Sequence, residues 1–143
     1  INMGLVKIKG VDVVLQGLWK FGNDWVFDSR LSYTYQKAQD FTDKSDKDTY
    51  GGQISYIPWH SGSAILNAGY KSWELNYSFI YTGERYDVSA NTPENYRLPW
   101  YTSDFSLAKK FSWRKYDFKL TLEVNNIFNQ QYEVVRSYPC LVY

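Results

Sequence analysis

The sequence is short of several things, and each shortage excludes a class of function. Cys140 is its only cysteine and His60 its only histidine, so it has neither an internal disulfide nor a Cys/His metal-ligand set. No run approaches the ~18 consecutive apolar residues of a membrane helix, which leaves barrel strands open, since these stay weak in hydropathy. Lys plus Arg number 16 against 15 Asp plus Glu, for a net charge of +1. There is no basic excess for nucleic acid and no Lys/Arg block that reads as a lipid-surface patch. No Gly-x-Ser-x-Gly motif or matched aspartate accompanies His60, so a catalytic base would lack both nucleophile and orienting partner. No enzyme and no cofactor are expected. No signal peptide opens the chain, and Ile1 is not an initiator methionine, which points to a piece of something longer.

What the chain does have is aromatic rings. Its 14 Tyr, 8 Phe and 6 Trp make up 20% of the residues, yet the mean hydropathy is −0.50. Many rings in a polar chain suggest a structure with one apolar surface and one wet one.

The period of the sequence is two. From Trp25, one parity carries Trp25, Phe27, Leu31, Tyr33 and Tyr35, and the other Asp28, Arg30, Ser32, Thr34 and Gln36. From Trp73, the apolar set is Trp73, Leu75, Tyr77, Phe79 and Tyr81, against Glu74, Asn76, Ser78 and Thr82. From Tyr116, Phe118, Leu120, Leu122 and Val124 alternate with Asp117, Lys119, Thr121 and Glu123. Side chains alternate across a strand, so each segment has an apolar and a polar face. Weaker segments of the same kind run over 11–21, 63–71 and 104–111, the last with Lys109 intruding on the apolar parity; a Lys near a strand end can carry its head to the interface. Before Gly10 the phase shifts, with Lys7 and Lys9 on the apolar parity. A bulge at Gly10, or a stretch standing clear of lipid, would account for it.

Connections alternate in length. Gly22-Asn23-Asp24, Lys71-Ser72 and Ser112 to Lys115 are short turns, and Gln39 to Ser61 and Gly83 to Tyr101 are long polar links. Outer-membrane barrels have this asymmetry, with the short turns periplasmic. The expected fold is all-β, an antiparallel up-and-down transmembrane β-barrel segment of about six long strands in three hairpins, filling residues 1–143 as one partial domain.

A soluble, aromatic-rich β-sandwich that binds ligands such as carbohydrate would also alternate. Two features favour the membrane. The runs are 9 to 12 residues, nearer the ~9–11 of a bilayer-crossing strand than the ~5–6 of a soluble one. The rings also bracket them: Trp73 to Tyr81 spans roughly 20 Å of membrane normal and Trp25 to Tyr35 roughly 25 Å, at ~3.3 Å per residue and ~40° tilt. An apolar band of ~25 Å with aromatic girdles matches those spans. Six strands cannot close such a barrel, and open edges in lipid leave backbone groups unsatisfied.

Four motifs carry a family resemblance. They are S-Y-T-Y-Q at Ser32 to Gln36, I-P-W-H at Ile57 to His60, T-G-E-R-Y at Thr82 to Tyr86, and V-N-N-I-F-N-Q-Q-Y at Val124 to Tyr132 followed by R-S-Y-P at Arg136 to Pro139. In this order the chain resembles the C-terminal barrel region of TonB-dependent outer-membrane receptors. The resemblance implies a barrel of about 22 strands around an N-terminal plug, in the outer membrane of a Gram-negative bacterium. It also implies import of a siderophore, cobalamin, haem or glycan with energy delivered through the TonB complex. Plug and TonB-contacting segment are absent from the sequence. So is the family's closing strand, for the chain stops at Cys140-Leu141-Val142-Tyr143. Outer-membrane lipid and the missing plug and strands are the implied partners, with no nucleic acid among them.

The candidate sites follow. Tyr86, Tyr96, Trp100 and Tyr101, placed in the outer loops, are candidates to hold a ligand or to pack as an outer girdle. The inward polar set is Asp12, Lys20, Asp28, Arg30, Glu74, Asp104, Lys119 and Glu123. Of these, Asp28, Arg30, Glu74 and Glu123 are the leading candidates for lumen or plug contact; otherwise they form a hydrated wall of cross-strand ion pairs. Asp43, Asp46 and Asp48, interleaved with Lys44 and Lys47, read as a solvated loop rather than a cation site. His60 reads as a loop histidine, and Cys140 as incidental.

Overall fold

The computed structural model describes residues 4–135 and 138–139. Its strands are β1 (Val6–Phe21), β2 (Trp25–Asp40), β3 (His60–Tyr70), β4 (Trp73–Thr82), β5 (Arg85–Tyr86), β6 (Tyr96–Arg97), β7 (Trp100–Trp113), β8 (Tyr116–Val124), β9 (Glu133–Val135) and β10 (Tyr138–Pro139). The six long strands form one antiparallel sheet in the order β1-β2-β3-β4-β7-β8, each next to its neighbour in sequence apart from the interposed ribbon β5-β6. This is an up-and-down meander of three hairpins. A second ribbon pairs β9 with β10.

The hairpin turns work through left-handed backbone. Gly22 has φ 61°, Lys71 φ 52° and Arg114 φ 55°. The pairs that close the turns are Phe21↔Trp25, Tyr70↔Trp73 and Trp113↔Tyr116. All are ring-bearing and all share the apolar parity, so the short-turn edge of the sheet is a row of rings.

The registers fix which side chains share a face. Directly paired residues lie on one side, and the row Asp28↔Asn67, Asn67↔Asn76, Asn76↔Ser106 and Ser106↔Glu123 crosses the five strands β2, β3, β4, β7 and β8, with Leu18 as its β1 member. The opposite parity runs Leu15↔Leu31, Leu31↔Ala64, Ala64↔Phe79. One face is thus mainly apolar and the other mainly polar from β2 to β8, while β1 adds Val14 and Leu18 to the polar side.

No second layer covers the apolar face. Leu15 is 61% exposed, Leu120 69% and Leu122 62%. Among the described residues, the buried hydrophobics are two alanines, Ala38 and Ala108. A sandwich would press this face against a partner sheet, so the sandwich reading is set aside. An apolar face of this extent is far beyond the patches that monomers keep in water.

Two expectations are corrected. Gly10 carries no bulge: it pairs with Gln36 inside an unbroken ladder from Val6↔Asp40 to Phe21↔Trp25. The backbone ladder is continuous there although the pattern of side chains changes. The strands also outrun their expected lengths, with β1 and β2 at 16 residues and β7 at 14. S-Y-T-Y-Q lies inside β2. A bilayer crossing takes ~9–11 residues, so β1 and β2 are longer than one crossing needs.

Candidate functional site: outer-loop pocket and polar wall

The two long connections fold onto each other. The Asn91 side chain accepts from the Gln53 backbone N–H (2.5 Å) and donates to the Gln53 carbonyl (3.0 Å), and the Asn91 N–H reaches the Asp48 carbonyl (2.9 Å). Gln53, almost fully buried, donates from Nε2 to the carbonyls of Ile57 (2.7 Å) and Glu84 (3.2 Å). That side chain ties I-P-W-H to T-G-E-R-Y. Gly83 makes the second tie: its N–H bonds the His60 carbonyl at 2.8 Å. A Cβ there would stand 2.6 Å from that oxygen, so the close approach requires glycine.

Arg85 makes the third tie. Its guanidinium is 4% exposed and donates from Nη2 to the carbonyls of Glu133 (2.6 Å) and Val134 (3.4 Å). Burial pushes its pKa below the ordinary value. On the partner strand, Arg97 pairs with buried Asp87. The V-N-N-I-F-N-Q-Q-Y motif is itself a folded turn. Asn126 (φ 49°) and Asn129 (φ 48°) take the left-handed backbone that Asn tolerates. The Asn126 side chain accepts from the Gln130 N–H (3.0 Å) and donates to the Gln130 carbonyl (3.0 Å). Asp104 accepts the Asn126 N–H at 2.7 Å.

Between the docked connections lies a cavity of about 340 Å³, lined by Gly51, Gly52, Gln53, Trp59, Glu84, Tyr86, Asn91 and Tyr96. Tyr86 and Tyr96 face each other across the β5-β6 ribbon, with ring centroids 5.7 Å apart. Trp59 entered only as part of I-P-W-H, and Gln53 and Asn91 were not singled out from sequence; nothing in the linear pattern brings residues 53 and 91 together.

Trp100 and Tyr101 are not loop residues. They open β7, pairing with Thr82 and Tyr81, and strand alternation sends them to opposite faces. Tyr101 lies on the apolar face, 5.8 Å from Phe79 and 6.2 Å from Phe128. Trp100 lies on the polar parity and stacks on Tyr132 at 4.3 Å. Neither lines the cavity. His60 is likewise a strand residue. It opens β3 opposite Tyr35, with Nδ1 2.7 Å from the Tyr33 hydroxyl.

The eight inward candidates share one face. Glu74 sits between two cations, 2.5 Å from Lys110 and 2.7 Å from Lys119. Asp12 accepts from Thr34 (2.6 Å) and Asp28 from Asn67 (3.3 Å). Arg30 and Asp28 line a common cleft with Gln16, and Glu123 lines another with Asn76, Ser78 and Asp104. The intruding Lys109 on the apolar face lies 4.4 Å over the Trp73 ring. The Asp43–Asp48 loop folds on itself: Asp43 accepts from the Ser45 hydroxyl and N–H, which hold its carboxyl below the usual range. No group of three metal-ligating residues occurs among the described residues. Cys140, Arg136 and Ser137 lie outside them.

Comparison with known families matches residues 1–127 to a model described as "TonB dependent receptor-like, beta-barrel". Among solved structures, the chain is similar to the ferric yersiniabactin uptake receptor FyuA from Yersinia pestis, with TM-score 0.64 and 17% identity. That match covers 93% of this chain and 21% of the receptor, so the chain spans about a fifth of the receptor's length. No curated protein matches.

Proposed function

Because this chain belongs to the TonB-dependent receptor-like β-barrel family, we propose that it is one stretch of barrel wall in a nutrient importer of a Gram-negative outer membrane. The family's members are transporters, not enzymes. The observation that carries the reading is the bare apolar face, which spans six strands and is edged by rings, backed by a face that is mainly polar from β2 to β8. Lipid is the one surrounding that accepts the first, and a water-filled lumen accepts the second. The open edges of β1 and β8 call for further strands, and the polar wall with Asp28, Arg30, Glu74 and Glu123 calls for a plug. The complete receptor would draw its energy through the TonB complex.

The imported molecule would be a siderophore, cobalamin, haem or glycan, met outside by the loop cavity. Tyr86, Tyr96 and Trp59 offer ring faces, and the buried Trp59 indole N–H lacks an acceptor. Glu84 is the one charged residue in the lining, which favours a neutral or cationic contact surface on the ligand.

Single spin labels, placed in a Cys140→Ser background of the full-length protein containing this chain, test the reading. In bilayers, labels at Leu75 and Tyr77 are expected to be open to oxygen and closed to an aqueous nickel chelate, and labels at Asn76 and Ser78 the reverse. Equal access at both parities overturns the membrane assignment, as does a purified protein that stays folded and monomeric without detergent. For import, a Tyr86→Ala/Tyr96→Ala variant is expected to weaken ligand uptake while leaving the label pattern unchanged.

A further inference from the structure

We infer that the cavity between the two long connections takes a neutral, hydroxyl-rich ligand, the end of an oligosaccharide, in preference to a ferric siderophore or a haem. This choice rests on the importer reading above and on the cavity being its outer ligand site. The two amides of the lining differ in what they have left to give. Asn91 is spent: its Oδ1 accepts the Gln53 N–H, and its Nδ2 donates to the carbonyls of Gln53 and Ser89. Gln53 is half spent. Its Nε2 donates to the carbonyls of Ile57 and Glu84, which fixes the amide. Its Oε1 accepts no hydrogen bond among the described residues, although Gln53 is 7% exposed and lines the cavity.

Glu84 adds a second unanswered acceptor. Among the described residues its carboxylate joins no ion pair. The neighbouring cations are turned elsewhere. In the β5-β6 ribbon the pair Tyr86↔Tyr96 lines the cavity, so strand alternation sends the next pair, Arg85↔Arg97, to the opposite face. There Arg85 bonds the Glu133 carbonyl and Arg97 pairs with Asp87. Lys37 lies 4.8 Å over the Trp59 ring and is not part of the lining. The lining therefore holds one negative charge and no positive one.

Against these acceptors stands one donor, the buried Trp59 indole N–H, which lacks an acceptor. A hydroxyl both donates and accepts, so it answers either kind of gap. An ammonium only donates and leaves the indole unanswered. A carboxylate, a phosphate or a metal-bound catecholate only accepts, and it meets repulsion from Glu84. The rings favour the same class. Tyr86 and Tyr96 stand edge to face, with centroids 5.7 Å apart, and an aromatic face is electron-rich. It suits the C–H face of a sugar ring, whose hydrogens are slightly positive. The volume of about 340 Å³ is at the small end of the ~300–1,000 Å³ usual for ligand sites, which suits the end of a chain.

The test uses the full-length protein containing this chain, purified in detergent. It is probed on an array of gluco-, manno- and galacto-oligosaccharides, each beside its uronic-acid counterpart. A ferric tris-catecholate, haemin and cyanocobalamin are titrated in parallel. Wild type is expected to hold at least one neutral series and to hold its uronic-acid counterpart at least about tenfold less well. Glu84→Gln is expected to weaken the neutral ligand about tenfold, as the loss of a hydrogen bond to a charged group. Glu84→Lys is expected to reverse the preference toward the uronic acid. The Glu84 side chain makes no bond within the described residues, so neither change disturbs the loops. Binding of the catecholate, haemin or cyanocobalamin with no oligosaccharide held, and its loss in Tyr86→Ala/Tyr96→Ala, overturns the ligand class while the importer reading stands. An oligosaccharide held equally by wild type and by Tyr86→Ala/Tyr96→Ala sits elsewhere and overturns the inference. So does the absence of binding to any probe; the label pattern at Leu75 to Ser78 then decides the membrane assignment separately.

Discussion

Arg85 and Glu133 are joined across 48 residues of sequence by one hydrogen bond, 2.6 Å from guanidinium to backbone carbonyl. The bond links T-G-E-R-Y to the segment after V-N-N-I-F-N-Q-Q-Y, so two motifs that look separate in sequence are parts of one joint. Glu133 opens β9, which pairs with β10, and the guanidinium adds a charge-assisted contact that ties this ribbon to β5. Replacing Arg85 with Ala is expected to cost the joint about 1.5–3 kcal/mol, the usual range for a hydrogen bond to a charged group. Limited proteolysis near Glu133 should speed up, while the melting of the six-stranded sheet should change little. Arg85→Lys is expected to rescue poorly, because one ammonium on a flexible stem does not reproduce the guanidinium fork.

Gly83 should tolerate no side chain. Its N–H bonds the His60 carbonyl, and a methyl group would stand 2.6 Å from the same oxygen. The obstacle is backbone in a strand, so it cannot rotate away. Gly83→Ala is expected to cost about 1–3 kcal/mol, as overpacking usually does, seen as a lower unfolding midpoint in denaturant. Gly22→Ala is a useful contrast. A Cβ there meets nothing within 4 Å, and only its φ of 61° resists, so a smaller loss is expected.

Much of the fold was legible because a strand's period is short. The parities of Trp73 to Tyr81 and Tyr116 to Val124 needed no neighbours to be read, and the three short turns announced themselves. What failed were boundaries and everything that depends on two distant segments meeting. Trp100 and Tyr101 follow Pro99 and looked like loop, yet they pair with Thr82 and Tyr81 and so belong to β7. Lys9 and Lys37 form no charged block in the sequence; only the register brings them opposite each other. Gln53 and Asn91 carry no local signal, because their role is to bond each other's loops. The asparagines of N-N-I-F-N were read as a family mark, while their physical reason, left-handed backbone at Asn126 and Asn129, was visible only in the fold.

Adjacent residues of β4 should respond oppositely to charge. Tyr77 lies mid-strand on the bare face, its hydroxyl 3.0 Å from Ser103 Oγ. Asn76 lies on the polar face, donating to Ser106 at 2.9 Å. Tyr77→Arg places a cation near the bilayer midplane and is expected to cost about 2–4 kcal/mol. Asn76→Arg keeps its head in water and should cost far less. Unfolding in lipid vesicles measures both, and equal losses would mean that the two faces share one environment.

Glu74 is the hub of the polar wall, and its removal should cost more than one ion pair. Lys110 and Lys119 are direct partners in register, so without a carboxylate they are like charges face to face. Glu74 holds both, from the neighbouring strand β4. Its side chain is 34% exposed and the lysines more so, so water screens each pair and each contributes little. Glu74→Gln is expected to lower stability modestly, with the loss shrinking as salt rises. Lys119→Gln removes one attraction and one repulsion at once, so it should be nearly silent alone and should partly rescue Glu74→Gln. A double-mutant cycle at low and high salt measures this coupling; additive losses at both would show that the three charges do not act as a unit.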